Sequence, residues 1–383
     1  MSPRPTGHYV TTTVASEPVN AFVPNPLPPK LKSSELARLA KPLQRAEAAL
    51  ARLDLAGDML PSLDWFIYTF VRKEALLSSE IEGTQATLVD VLAWEQTEQA
   101  GNSNIEDVEE VVNYVAALNH AFAQIRSRKG APVSVRLFNA CHRMLMQGER
   151  GASKQPGELR RSQNWIGGSR PGNAVFVPPP PEQVVELLSD LERYIHAKDK
   201  LAPLLRIGLV HVQFETIHPY LDGNGRLGRM LIALLLDHWQ LLKRPLLYLS
   251  LYLKQNQAGY YWRLSGVRSE GDWQGWLEFF LQGVQESAEN AAELVRALHN
   301  QINTDRERLL ATSSVTVSAI QLFEKLPQHP VISMPLVRRL LNTSKPTAGK
   351  AIALLLDAGI LTELGERKRD RIYRYQRYLL LLE

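Results

Sequence analysis

The chain has 383 residues, 45% of them hydrophobic and 22% charged, the balance of an ordinary globular protein. That length exceeds what one compact core organises and predicts two or three domains. The net charge of +4 excludes a molecule that holds nucleic acid by bulk charge. The single cysteine, Cys141, excludes an internal disulfide and any zinc site that needs two thiolates.

One cysteine fits a reducing cytoplasm. Cys141 sits in a helical pattern, where a small buried core residue is expected rather than a nucleophile. The N-terminus has no apolar stretch of the kind a signal peptide carries. The longest apolar run, Met230 to Leu236, is broken by Asp237, well short of the roughly 20 residues a membrane span needs.

In chain order, residues 1–30 read as an extended arm, since Pro26, Pro28 and Pro29 oppose regular helix. Residues 31–130 read as a helical domain. Leu36, Leu39, Leu43, Ala46 and Leu50 recur at helical spacing, with a break or kink expected near Lys41 because Pro42 follows. Lys129-Gly130-Ala131-Pro132 punctuates the end of that block. Residues 131–285 are again mainly helical, interrupted between Trp165 and Pro181. There Gly167-Gly168 and Pro171-Gly172-Asn173 are turn signals and Ala174-Val175-Phe176-Val177 is a short strand, which together predict a β-hairpin flap at about 165–178. Residues 286–310 read as a connecting helix and 311–383 as a small C-terminal domain. The fold class is therefore mainly α.

The densest chemistry lies between His218 and Arg229. Pro219 ends the helix carrying Leu204, Leu205, Ile207, Val210 and Phe214, so His218 faces a loop. Asp222-Gly223-Asn224-Gly225 forms that loop, and its glycines let backbone N–H groups approach a ligand closely. A second helix starts near Arg226, with Met230, Leu231, Leu234 and Leu235 as its apolar face. A glycine-rich loop entering a helix N-terminus is an anion site. Arg226 and Arg229 share a face of that helix and suit phosphate oxygens. Asp222 offers oxygen to Mg²⁺, which usually takes one or two carboxylates plus phosphates. His218 supplies a base of near-neutral pKa. Singly, each piece also fits a structural role: a histidine cap, a common Asp-Gly-Asn-Gly turn, or part of a calcium loop. The other carboxylates of such a calcium loop are missing, and no Walker A sequence competes for the phosphate role.

This segment resembles the signature of the Fic family, His-x-Phe-x-(Asp/Glu)-Gly-Asn-Gly-Arg-x-x-Arg, with Tyr220 in place of the usual Phe. The resemblance implies a Fic helical core and transfer of AMP from ATP to protein hydroxyls of Ser, Thr or Tyr, including the chain's own. His218 would be the general base and Asp222 the Mg²⁺ ligand. Gly223, Asn224 and Gly225 would form the anion hole, continued through Arg226, Leu227, Gly228 and Arg229, with both arginines on the β- and γ-phosphates. The related Doc kinases carry Lys where this chain has Gly225, which favours AMP transfer over phosphoryl transfer.

Upstream, Ser78-Ser79-Glu80-Ile81-Glu82-Gly83 reads by itself as a polar helix end with Gly83 as cap. It also resembles the family's inhibitory pattern through Ser78, Glu82 and Gly83. In that pattern the glutamate pairs with the second motif arginine, here Arg229. Glu82 and a γ-phosphate would then compete for Arg229, leaving the α-phosphorus out of line for attack.

Gly157 to Gly168 resembles the lead into the family flap, which would align an extended target segment by main-chain hydrogen bonds. Tyr260-Tyr261 before Leu264 resembles the region that closes on adenine. Tyr261 is the expected ATP contact, and Arg268 stands where some relatives carry Asn. Near the end, Leu336–Leu341, a turn at Asn342-Thr343-Ser344, a helix from Lys345-Pro346 and the runs Leu361–Leu364 and Arg371–Tyr375 resemble a winged helix-turn-helix. From Met334 to Glu383 ten Lys/Arg face five Asp/Glu, an excess of 10 − 5 = +5. Lys345, Lys350, Arg367, Lys368 and Arg369 are placed on its recognition helix or wing. That excess fits a DNA face and a protein-docking face equally. The alternatives to AMP transfer are a DNA-binding regulator with a nucleotide-sensing Fic domain, and AMP removal at the same site. Fic relatives often form dimers, which makes a homodimer an expectation here.

Overall fold

The computed structural model describes residues 5–58, 64–97, 104–312, 314–365 and 371–382. Among them the chain is mainly helical, with two small sheets. The first sheet pairs β1 (Gly7–Val14) and β2 (Glu17–Pro24) antiparallel. The extended arm expected for residues 1–30 is thus a hairpin over most of its length. Its two-residue turn, Ala15-Ser16, has positive φ at both positions, the backbone of a type I′ turn. Neither residue is among the usual signals for that turn, so the sequence pattern did not announce it.

α1 (Ser33–Asp58) continues through Pro42, so the helix does not break near Lys41. The carbonyl that a residue at 42 would ordinarily serve belongs to Arg38, on an exposed turn where water can satisfy it. Packing along α12 (Trp273–Leu310) offsets the roughly 3 kcal/mol a helical proline costs. α2 (Asp64–Ile81), α3 (Leu88–Thr97) and α4 (Ile105–Arg126) complete the N-terminal helices. α4 is capped by Asn104.

The central bundle holds α5 (Val135–Leu145), the short α6 (Glu149–Ala152), α7 (Pro181–His196), α8 (Pro203–Ile217), α9 (Asn224–His238), α10 (Leu249–Gln255) and α11 (Gln257–Glu270). α8 is buried all round: every residue from Leu204 to Ile217 lies in the core, as a helix without a polar face must. Cys141 is buried on α5. α12 passes without interruption through 285 and 286, so the connecting helix is the second half of a longer one.

The C-terminal elements follow as α13 (Val317–Lys325), β3 (Val331–Ser333), α14 (Met334–Leu341), α15 (Lys345–Asp357), β4 (Thr362–Leu364), β5 (Ile372–Arg374) and α16 (Gln376–Leu380). Their sheet has the order β3-β5-β4, all antiparallel. Arg367, Lys368 and Arg369, expected on the wing, lie outside the described residues. Buried Asp305 of α12 ties this unit down, accepting from Tyr375 Oη at 2.9 Å and Arg377 Nη1 at 2.8 Å. No described helix is long and apolar enough to cross a membrane.

Candidate active site

α8 ends at Ile217 because Pro219 cannot continue it. His218 caps it in the left-handed region, φ 48°, with its N–H donating to Phe214 O. α9 begins at Asn224 after Gly223, also left-handed at φ 72°. The loop between them is clasped by Asn224, whose amide donates to Tyr220 O and accepts from Tyr220 N, both at 2.8 Å. The Asn224 side chain therefore builds the loop, leaving first-turn N–H groups of α9 to face an anion. Tyr220 is the buried anchor, stacked on His142 with ring centroids 3.9 Å apart and donating to Asn139 Oδ1 at 2.7 Å.

His218 lines a cavity of about 340 Å³ together with Gly225, Arg229, Tyr261 and flap residues Ile166 and Phe176. Burial pushes its imidazole down to about 4, with Arg160 adding to the effect. It is therefore neutral near pH 7, the form that can accept a proton. Its Nδ1 is buried, and an interaction with the Glu215 backbone acts weakly against the downward shift. Arg160 was not singled out in the sequence, yet it holds this corner. Its Nε donates to His218 O at 2.8 Å and its backbone N–H to Pro219 O at 3.0 Å. His142, equally missed, contacts Asp222 O at 3.1 Å and accepts from Gly157 N–H at 2.8 Å. Neither residue belongs to the motif, and only the packing of α5 and the flap lead against the loop reveals them.

The two motif arginines are both buried and both engaged by carboxylates. Arg229, 2% exposed, donates through Nε to Ser78 Oγ at 2.9 Å. Its Nη2 donates to Ser78 O at 2.8 Å and to Glu82 Oε1 at 2.6 Å. Burial opposes the Arg229 charge, but Glu82 outweighs it and holds the guanidinium above its usual range. Burial likewise pushes Glu82 up, and Arg229 overcomes it to hold the carboxyl below its usual range. A Cβ at residue 225 would lie 2.3 Å from Glu82 Oε1 and 2.9 Å from Arg229 Nη1, so this approach requires Gly225. Arg226 donates to Glu110 of α4, another residue that sequence reading passed over.

Gly83, at φ 104°, turns the chain beyond α2. Asp107 of α4 then accepts from Gln85 N–H at 3.0 Å. Ser78 and Glu82 thus converge on Arg229 across 151 and 147 residues of sequence, with Gly83 turning the chain just beyond them. Glu82 also lines a second cavity of about 240 Å³, shared with Asp222, Arg226 and Glu110.

Asp222 is half-exposed, with Oδ1 accepting from Gly223 N–H at 2.6 Å. No group of three or more His, Cys, Asp or Glu that could hold a metal by themselves occurs among the described residues. One exposed carboxylate beside an anion site fits Mg²⁺ carried in with phosphate, which supplies most of its ligands.

The flap is present with less strand than expected. Ile166 and Phe176 form an isolated antiparallel bridge. Its outer side is braced by the N-terminal hairpin. Phe22 N–H donates to Val177 O at 2.9 Å, and Glu17 accepts from Arg170 Nη1 at 2.7 Å and Gly172 N–H at 2.9 Å.

Residues 40–123 match the Fic/DOC family N-terminal region and residues 132–236 match the Fic/DOC family domain. The chain thus carries the N-terminal and Fic domains of the Fic/DOC family. Protein adenylyltransferase fic-1 of Caenorhabditis briggsae is 27% identical over 135 residues, 35% of this chain and 25% of that protein. Protein adenylyltransferase Fic of Drosophila erecta is 25% identical over 202 residues, 52% of this chain and 37% of that protein. The matched part therefore spans well under half of these relatives. Among solved structures, a Fic family protein from Desulfovibrio desulfuricans G20 superposes with a TM-score of 0.56 at 21% identity, covering 91% of this chain and 98% of that one. Fic-1 of C. elegans (aa134 - 508) superposes with a TM-score of 0.54 at 20% identity, covering 70% and 74%. These likenesses establish the Fic fold.

Proposed function

We propose that this Fic protein transfers AMP from ATP to Ser, Thr or Tyr hydroxyls of target proteins, and that Glu82 restrains it. The observation that carries the reading is the shared cavity of His218 and Arg229, with Glu82 Oε1 2.6 Å from the arginine. A neutral base and a cationic anion site meet there, and the cation is already taken.

His218 accepts the proton of the target hydroxyl as that oxygen attacks the α-phosphorus. The bond from the α-phosphorus to the bridging oxygen breaks, and pyrophosphate leaves. The α9 N-terminus, Arg226 and Arg229 stabilise the departing charge. Asp222 would hold Mg²⁺, which neutralises phosphate charge when bound. Tyr261 offers an aromatic face to adenine, and the flap offers main-chain groups to an extended target.

Incubation with α-labelled and γ-labelled ATP tests the reading. Label from the α-position should enter protein with the Glu82→Gly variant and vanish with Glu82→Gly/His218→Ala. Label entering only from the γ-position would overturn AMP transfer. Release of AMP from a pre-labelled protein would instead identify removal as the reaction.

A second reading concerns the C-terminal unit. Its order helix, strand, helix, helix, strand, strand and the surface of Arg338, Arg339, Asn342 and Ser344 at the α14–α15 turn support a winged helix that docks on duplex DNA or protein. Salt-sensitive duplex retention, lost with Arg338→Glu/Arg339→Glu, would support the DNA arm.

A further inference from the structure

The two motif arginines meet carboxylates placed very differently. Glu82 lies beyond the end of α2 with its side chain 36% exposed, and Gly83 follows at φ 104°. Glu110 lies inside α4, a helix capped by Asn104, and its side chain is 16% exposed against 6% for Arg226. A carboxylate at a helix end, where the backbone frays, can withdraw from its partner. One inside a capped helix withdraws only if the helix moves, and it would leave a buried guanidinium unpaired at high cost.

Glu110 is itself held in place. It shares a face of α4 with Asp107, three residues earlier. Arg150 of α6 donates to Asp107 Oδ1 at 2.5 Å and lies 3.8 Å from Glu110 Oε2. The other oxygen, Oε1, accepts from Arg226 Nη1. The Glu110 carboxylate therefore bridges two guanidiniums, and its charge is divided between them. On the far edge of the Arg226 group, Nη2 lies 3.7 Å from Asp222 Oδ1 and rests against Met146 Sδ at 3.8 Å. A planar guanidinium pinned through one nitrogen keeps a fixed orientation. Its free edge is turned towards Asp222, the carboxylate expected beside the phosphates.

We infer that Glu110 is a positioning residue for phosphate binding: it holds Arg226 so that Nη2 is presented to the β-phosphate, and it stays paired when the nucleotide enters. The inference rests on the proposed nucleotide reading of this site. Glu82 and Glu110 then act in opposite senses. Loss of Glu82 releases Arg229 to a phosphate, whereas loss of Glu110 removes the contact that orients Arg226, as loss of a supporting partner does behind any binding group.

The test is calorimetric binding of ATP, ADP and AMP with Mg²⁺ to Glu82→Gly/His218→Ala protein, which on the proposed function lacks the base and cannot consume ATP. Adding Glu110→Ala should weaken ATP and ADP about ten-fold and leave AMP, which has no β-phosphate, within about two-fold. Adding Glu110→Gln instead, which keeps an oxygen for Nη1, should retain most of the ADP affinity. Equal losses for ADP and AMP would overturn the inference, since a merely structural defect moves both. So would unchanged ADP binding in a folded Glu110→Ala variant. Tighter ADP binding by the isosteric Glu110→Gln would overturn it whether or not the alanine variant folds, because Glu110 would then be a second competitor like Glu82. Failure of the parent protein to bind ATP would overturn the nucleotide reading itself, and the first titration tells that failure apart.

Discussion

Arg229 carries a full charge at 2% exposure, and among the described residues the carboxylate that pairs with it reaches it from beyond the end of α2. On the proposed function, replacing Glu82 by Gly removes the carboxylate that would compete with phosphate for Arg229. We expect AMP transfer to rise at least about ten-fold, as for any variant that shifts a blocked population by more than 1.4 kcal/mol; equal labelling by wild type and variant would count against the latch. Acid will not release it in the working range. The Glu82 carboxyl is held below its usual value by Arg229. The pair's contribution is therefore complete above the unfolded carboxylate pKa and is lost only as pH falls through the lower folded one. His218 leads to a second expectation. With its imidazole pushed down to about 4, the base is neutral throughout pH 6–8. The kcat of Glu82→Gly at saturating ATP should then be flat on the acid side to about pH 5. An acid limb near 6.5 would mean that the base is not buried during turnover. These residues were legible as a motif because loop glycines, base, carboxylate and arginines must lie close in sequence to share one helix N-terminus. Arg160, His142 and Glu110 were not, since each reaches the site from a separate element.

At the scale of elements, the α8–loop–α9 unit is the part most fully written locally. Proline stops one helix, glycine admits the turn, and an apolar stripe starts the next. The flap is different. Its strand pairing reduces to one bridge, and its support comes from β2 and Glu17, which lie in the stretch read as an extended arm. Glu17→Ala removes contacts to Arg170 and Gly172 N–H. Such a half-exposed charge contact is worth about 0.5–1 kcal/mol. We expect KM for the protein target to rise about two- to five-fold with KM for ATP unchanged. A matching change in KM for ATP would show that the hairpin supports the nucleotide cavity instead. The hairpin was hidden because its turn uses Ala15 and Ser16 in positive φ, residues that adopt it only when the paired strands impose it. Pro42 hid the length of α1 for the complementary reason: the pressure of α12 along its flank outweighs a local preference.

Over the whole molecule, α12 joins the parts, packing on α1 along one stretch and presenting Asp305 to the C-terminal unit along another. Asp305 is 0% exposed and serves Tyr375, Arg308 and Arg377. Asp305→Ala leaves those donors unpaired and should cost about 2 kcal/mol, reduced from the fully buried value because both arginines are part exposed. A lower urea midpoint, read by circular dichroism, checks it, and an unchanged midpoint would show that the unit is held by apolar packing alone. The sequence by itself determined the helical class, the two helices around His218 and Arg229, and the chemical inventory of the loop, because helix periodicity, proline and glycine act over a few residues. The encounter of Glu82 with Arg229 was implied by the resemblance to the inhibitory pattern and by no local physics, while the neutrality of His218 and the bracing of the flap by the first hairpin were decided only by tertiary structure. Those depend on burial and on contacts between segments more than a hundred residues apart, where local pattern carries no information about distance.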